Sequence, residues 1–290
     1  MDEGQTAAPP IPDYEDFLRR LRARLDDPIR PARPEIRVGL DLGTASIVLT
    51  VLAADGSPLA LAREEASVVR DGLVVDYDGA RRICERLRLG LEEKLRLSLD
   101  RATIAVPSGT SERDAAAHRH VSEAAGLEVE AVLDEPVAAN HLLGIADGAL
   151  ADLGGGTTGA AFFRDGRLVL SFDEPTGGHH LSLVIAGNLK IPLEQAEAIK
   201  TDPAQAKRVA PLVAPVLSKM GIILAKGLQG LRVPVLYLAG GTASSPGAGS
   251  IIAKETGFPV KLPVHPDLVT PAGIALGCRP YLAGEPSADD

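Results

Sequence analysis

A chain of 290 residues, 45% apolar and 24% charged, has the balance of a folded globular protein and the length for two lobes at about 150 residues each, which excludes a disordered regulator. A formal charge of −9, no tryptophan, four tyrosines and five phenylalanines argue against nucleic-acid and membrane partners, because acidic surface repels phosphodiesters and anionic headgroups and stacking platforms are scarce. Cys84 and Cys278 are too few for a disulfide framework or a thiolate zinc site; with no basic, apolar leader and no apolar run of membrane-span length, they point to the cytoplasm.

Residues 1–36 read as a flexible, Pro-rich segment carrying one amphipathic helix over 13–27, with Asp13 as cap and Phe17, Leu18, Leu21 and Leu25 at helical spacing. Two readings are open for this helix: it docks on its own body, or it is a sticky tag for a partner or a protein shell. From Arg37 to Glu65 the pattern predicts three strands with turns at Gly43-Thr44 and Asp55-Gly56. A helix is expected near 78–98, a buried strand at 103–107, a helix opened by Ser108 or Thr110 and closed near Gly126, a strand at 128–133, and a helix beginning in DEPVAAN at 134–140.

The order then restarts. Residues 148–174 again predict three strands, with tight turns at Gly154–Gly156 and Asp165-Gly166; helices follow near 178–190, 192–200 and 207–228, then a strand in VPVLYLAGG at 233–241 and helices over 242–257 and 271–277. Asp-Leu-Gly-Thr at 41–44 and Asp-Leu-Gly-Gly at 152–155 mark an internal duplication. The expected architecture is α/β, with a first lobe at 37–147, a reduced second lobe at 148–280, a polar tail at 281–290, and the two lobes facing each other across a cleft.

A glycine-rich turn between strands lets successive amide N–H groups converge on an anion. Asp41 and Asp152, at the ends of their strands, would repel a bare phosphate, so such a turn implies Mg²⁺ bridging carboxylate and phosphate, directly or through water. One Asp-x-Gly turn says little, whereas two at equivalent places in a duplicated chain reinforce each other. The small-residue helices in DEPVAAN and PAGIALG are expected to cross closely and form a hinge.

These segments resemble, in order, those of the actin-like ATPase superfamily, whose fold is a duplicated ribonuclease-H-like unit. GLDLGTASIVL resembles its first phosphate loop, DLGGGTTGAAFF its second, LAGGT its adenosine motif, and DEPVAAN and PAGIALG its connecting helices. The resemblance implies ATP and Mg²⁺ as ligands, with Asp41 and Asp152 holding the metal and its waters. It further implies that Gly43, Thr44, Gly154, Gly155, Gly156 and Thr157 contact the phosphates, that Glu135 orients the attacking water, that Gly240 and Gly241 border the adenosine, and that Glu197 and Lys200 contact ribose or base.

The N-terminal helix and linker, DGLVVDYDGA at 71–80, TGGHHLSLVIAGN at 176–188 and IPLEQAEAIK at 191–200 resemble the EutJ family of ethanolamine-utilisation proteins. That resemblance implies a chaperone-like protein in a system that degrades ethanolamine inside protein-shelled microcompartments, acting on a client such as its cobalamin-dependent lyase or on a shell subunit. The alternative is a scaffolding protein that docks through its N-terminal helix and binds nucleotide weakly or not at all. A small-molecule kinase and a filament former share the fold but lack support in so compact a chain. The superfamily's acidic residue after Gly177-Gly178 is replaced by His179 and His180, which read either as polar groups near phosphate or as surface and capping residues.

Overall fold

A computed structural model describes residues 11, 13–70 and 72–285. Most of the Pro-rich start, Asp71 of the 71–80 stretch, and the tail from 286 lie outside the described residues. The chain divides into two compact units, one comprising 1–144 with 268–290 and the other 145–267.

In the first unit, helix α1 (Tyr14–Ala23) precedes strands β1 (Glu35–Leu42), β2 (Ser46–Ala53) and β3 (Pro58–Glu65), a two-stranded hairpin β4 (Val69–Arg70) and β5 (Leu73–Val74), helix α2 (Tyr77–Leu95), strand β6 (Arg101–Val106), helix α3 (Glu112–Ala124), strand β7 (Glu128–Asp134) and helix α4 (Glu135–Leu143). The second unit holds β8 (Gly148–Leu153), β9 (Thr158–Arg164), β10 (Arg167–Glu174), α5 (Gly178–Leu189), α6 (Leu193–Thr201), α7 (Ala206–Gly227), β11 (Leu236–Ala239), α8 (Ala248–Thr256) and β12 (Val260–Lys261). The chain then returns to the first unit with α9 (Val269–Gly277) and β13 (Tyr281–Leu282).

The duplication expected from the sequence is explicit in the sheets. The first runs β3-β2-β1-β6-β7 and the second β10-β9-β8-β11-β12. In each, three antiparallel strands are followed by two parallel ones. Asp41 pairs with Val48 and Asp152 with Gly159, each one residue from its strand's end. β1 and β8 are buried along nearly their whole length, Arg37 included, because both faces of these central strands are covered.

The structure redraws several expected boundaries. α9 packs on β1, β2, β6 and α4, so residues from Leu268 onward belong with the first unit although the sequence groups them with the second half. The tail assigned from 281 begins as a strand, Tyr281 and Leu282 pairing with Ile36 and Glu35. α3 is capped by Ser111, whose hydroxyl accepts the Asp114 N–H at 3.2 Å; the expected caps Ser108 and Thr110 lie in the preceding turn. The i,i+4 spacing of Arg88 and Glu92 on α2 by itself predicts a solvated ion pair, but Glu92 is buried and Arg88 half-buried: the guanidinium holds both carboxylate oxygens at 2.8 and 2.9 Å and the Ala125 carbonyl at 2.8 Å, while Glu92 accepts the Leu99 N–H. Pro203–Gly227 has the length and mean hydropathy, 1.6, of a membrane span, against the expectation that no such run exists. Within the second unit it is a core helix, its Val209, Val213, Leu217, Met220 and Leu224 buried in one cluster.

Helix α9 has Thr270 as its one polar side chain and is wholly buried from Val269 to Leu276, as a helix without a charged face must be. Glycine sets how close it comes: a Cβ on Gly273 would lie 1.9 Å from the Ala138 carbonyl oxygen of α4. The two small-residue helices therefore cross at backbone contact, as their composition predicts. Arg37, buried on β1, donates to the Leu276 and Cys278 carbonyls at 3.2 and 2.5 Å and to Ala54, closing the C-terminal end of α9 with charge of the favourable sign.

The structure decides between the two readings of the N-terminal helix. Phe17, Leu18 and Leu21 are 1%, 0% and 0% exposed, packed on β3 and α9, and Asp13 caps the helix by accepting the Asp16 N–H at 3.0 Å. The segment after it donates Ile29 N–H to Leu59 O at 2.7 Å, covering part of the β3 edge. The apolar face that a docking tag would need is spent inside its own unit. Leu21→Ala is expected to destabilise the protein by about 2–5 kcal/mol, the range for truncating a buried leucine, read by urea denaturation; an unchanged midpoint would mean the helix is not part of the core. Burial pushes the Cys84 thiol up to about 12, so in the folded protein it stays protonated at pH 8 and iodoacetamide should label it only after unfolding.

Candidate functional site

In the second unit the candidate residues gather at the carboxyl ends of two neighbouring interior strands. β8 and β11 run parallel with Asp152 opposite Ala239, so the turn after β8 (Gly154, Gly155, Gly156, Thr157) and the segment after β11 (Gly240, Gly241, Thr242) leave the sheet side by side. The turn is closed by Gly154 N–H to Thr157 O at 3.0 Å. Its carbonyls are then taken up from outside. Gly178 N–H donates to Gly154 O at 2.9 Å, His179 N–H to Gly155 O at 2.8 Å, and the Thr242 hydroxyl to Gly154 O at 2.8 Å. The first amides of α5, which would otherwise lack helical partners, are thereby satisfied by the turn.

This grip requires backbone to meet backbone. A Cβ on Gly177 would lie 2.4 Å from the Gly156 carbonyl carbon and 2.6 Å from both Gly155 O and Thr157 N. Gly240, at φ +85°, would carry a Cβ 2.3 Å from Asp152 Oδ1 and 2.4 Å from Leu153 O. Gly241 is under no such constraint, its nearest neighbour to an added Cβ lying at 4.0 Å. The glycine pair read from the sequence as one adenosine border therefore has two different members, and only Gly240 is held against the Asp152 end of β8.

Glu197 and Lys200, on α6, sit behind this grip. Lys200 Nζ lies 2.7 and 2.8 Å from the two Glu197 oxygens, 3.0 Å from Ser182 Oγ and 3.3 Å from the Gly178 carbonyl; Ser182 Oγ donates to Glu197 at 2.5 Å. The ammonium is largely buried, at 14% side-chain exposure, and its donors are directed at α5. His180 Nδ1 accepts the Gly177 N–H at 3.3 Å, a capping role that matches one of the two readings of the His pair. Ser182, Gly177, Gly178 and Thr242 thus join the site without having been assigned to it from sequence. The Gly-Gly at 177–178 and the Thr closing LAGGT were visible there, but only contact shows what they hold.

In the first unit, Asp41 is the penultimate residue of β1, Gly43 and Thr44 follow the strand, and Glu135 begins α4 directly after β7. Because β1, β6 and β7 are parallel, Asp41 and Glu135 stand at the same, carboxyl end of their strands. Gly43 allows a tight bend, a Cβ there lying 2.9 Å from Ser46 O. Behind this edge, burial lowers the pKa of His141, whose Nδ1 is 3.4 Å from the Gly273 carbonyl, and that of His118, whose Nε2 is 2.9 Å from Gly72 O, so both imidazoles favour the neutral form. Among the described residues no group of three or more His, Cys, Asp or Glu could hold a metal by itself.

Gly177→Ala is expected to cost about 1–3 kcal/mol, the penalty for forcing a methyl into a filled space, whereas Gly241→Ala should change stability by less than about 0.5 kcal/mol. Equal urea midpoints for the two variants would refute the close approach of α5 to the turn.

No protein-family model matches the chain. It is 42% identical over 250 residues to ethanolamine utilization protein EutJ of Salmonella typhimurium, covering 85% of this chain and 87% of that one. Against EutJ of Escherichia coli K12 the identity is 41% with the same coverage. The crystal structure of ethanolamine utilization protein EutJ from Carboxydothermus hydrogenoformans matches with a TM-score of 0.86 at 46% identity, over 91% of this chain and 97% of that one. At the level of fold alone, a PilM-PilN type IV pilus biogenesis complex matches with a TM-score of 0.69 at 16% identity over 83% of this chain and 97% of that one. MreB5 of Spiroplasma citri bound to AMPPNP gives 0.66 at 17% identity, over 84% and 95%. The fold is that of the actin-like ATPases.

Proposed function

The chain belongs to the EutJ family of ethanolamine utilization proteins, and on that footing we propose that it is a nucleotide-binding, chaperone-like member of the ethanolamine-utilisation system, acting on a microcompartment enzyme or on its assembly. The observation that carries the nucleotide reading is the second-unit turn. With the Gly154 and Gly155 carbonyls held by α5 and Thr242, the amides of Gly155, Gly156 and Thr157 are the groups this turn can offer to phosphate oxygens. The fold supports the same reading, since the MreB5 it resembles is bound to AMPPNP.

Mg²⁺ fits the donors present. It keeps several waters and uses one or two carboxylates plus substrate phosphate, so a lone aspartate beside a glycine turn is a suitable set and a cluster of protein ligands is not required. Asp152, at the end of β8, would hold the ion or its waters; when bound, it would neutralise phosphate charge. In the second unit Gly240 and Gly241 would leave room for the flat base; in the first, Asp41 has the chemistry to hold Mg²⁺ or its waters, Gly43 and Thr44 to contact a phosphate, and Glu135 to accept a hydrogen bond from a water. Lys200 and Glu197 would act on the nucleotide through Gly178 and Ser182 as well as by any direct ribose contact. A scaffold that docks through the N-terminal helix has lost its docking element, because that helix's apolar face is buried in its own unit.

Calorimetry of ATP with Mg²⁺ tests the proposal. The wild type is expected to bind, Asp152→Ala to lose the metal-dependent part of the heat, and Gly241→Ala to bind with at most a modest loss. Equal heats from wild type and Asp152→Ala would remove Asp152 from the site; no heat from the wild type would overturn nucleotide binding altogether.

A further inference from the structure

From Pro203 to Lys254 the chain carries six Lys and Arg and not one Asp or Glu, although its overall charge is −9. Much of this basic stretch is α7. Its buried side faces the second unit's core, while Arg208, Pro211, Pro215, Lys219, Ile222 and Lys226 are all exposed. These six follow one another at steps of three or four residues, so they form a single stripe along the helix. Ile222 is 44% exposed, and the two prolines add apolar surface between the cations. At 1.5 Å per residue the ridge from Arg208 to Lys226 is about 27 Å long. The acids closest in sequence are Asp202, just before the helix, and Glu255 on α8, half-buried where it packs over Gly221.

We infer that this ridge is a docking surface for an acidic, amphipathic helix of a partner protein. Cations interspersed with apolar residues at helical spacing are matched by a helix that carries Asp and Glu beside Leu, Ile or Val at the same spacing. A second copy of the chain does not fit: two such ridges related by a twofold would set arginine and lysine against arginine and lysine. A lipid surface fits less well than a helix, because two prolines and one isoleucine offer too little apolar surface for insertion and the chain as a whole is acidic. The surface is independent of the glycine turn, so the two proposals stand or fall separately.

The test is photo-crosslinking from position 222, carrying p-benzoylphenylalanine in the full-length chain, in cells growing on ethanolamine, with Val169 on β10 as an exposed control. The crosslinked segment is identified by mass spectrometry. The expected result is one partner protein, joined through a helical segment rich in Asp and Glu, with the yield falling about ten-fold in Lys219→Glu/Lys226→Glu. That segment, made as a peptide, should bind the unmodified protein and weaken about ten-fold when salt is raised to about 300 mM, a readout that does not depend on how the double variant folds. An adduct with lipid, with another copy of the chain or with a segment lacking excess acid would overturn the inference. So would a yield at the Val169 level, or binding indifferent to both charge reversal and salt.

Discussion

Where two stretches of backbone must touch, no side chain can stand between them, and the candidate site is organised around such contacts. The start of α5 lies against the turn after β8 so closely that a methyl on Gly177 would fall inside three backbone atoms. That closeness lets α5 amides hold the Gly154 and Gly155 carbonyls. Once its carbonyls are fixed, the turn has one face committed to the protein and the other left for chemistry. Gly240 applies the same constraint from β11, with a positive φ that a larger residue would adopt only under strain. In the first unit Gly273 against Ala138 does for two helices what Gly177 does for helix and turn.

Charge supports these contacts from behind. Lys200 shares its ammonium between Glu197, Ser182 and the Gly178 carbonyl, tying α6 to the first turn of α5. Arg37 takes up carbonyls at the C-terminal end of α9, and Arg88 with Glu92 joins α2 to the ends of two loops. In each case a wholly or largely buried cation has several oxygen partners, the condition under which removing it from water is tolerable. Such groups fix where elements end and how neighbouring elements are aligned.

The two units share a strand order but differ in what the shared turn rests on. The second-unit turn is gripped by α5 and Thr242, whereas the first-unit turn bends over Ser46 and leads into the second strand of its sheet. The charge distribution is likewise uneven: the stretch that holds α7 and β11 is free of acid in a chain that is otherwise rich in it.

Much was determined by sequence alone. Strands buried on both faces declare themselves by continuous apolar runs, and paired Asp-Leu-Gly turns at matching places disclose the duplication, because these are local or periodic signals. The order of β1 to β3 and β8 to β10, the turns with Asp41 and Asp152, and the crossing of two small-residue helices could all be read in this way. Other features depended on partners far along the chain. The fate of Phe17, Leu18 and Leu21 was open because an amphipathic face looks the same whether its partner is β3 or another protein. Arg88 and Glu92 looked solvated because i,i+4 spacing is silent about a third element closing over them. Lys200 could be picked out as a polar residue of the site, but its hold on Gly178 exists only once α5 and α6 are packed. Periodicity and turn chemistry are written in neighbouring residues, whereas burial and the sharing of one cation among several oxygens arise only when distant segments meet.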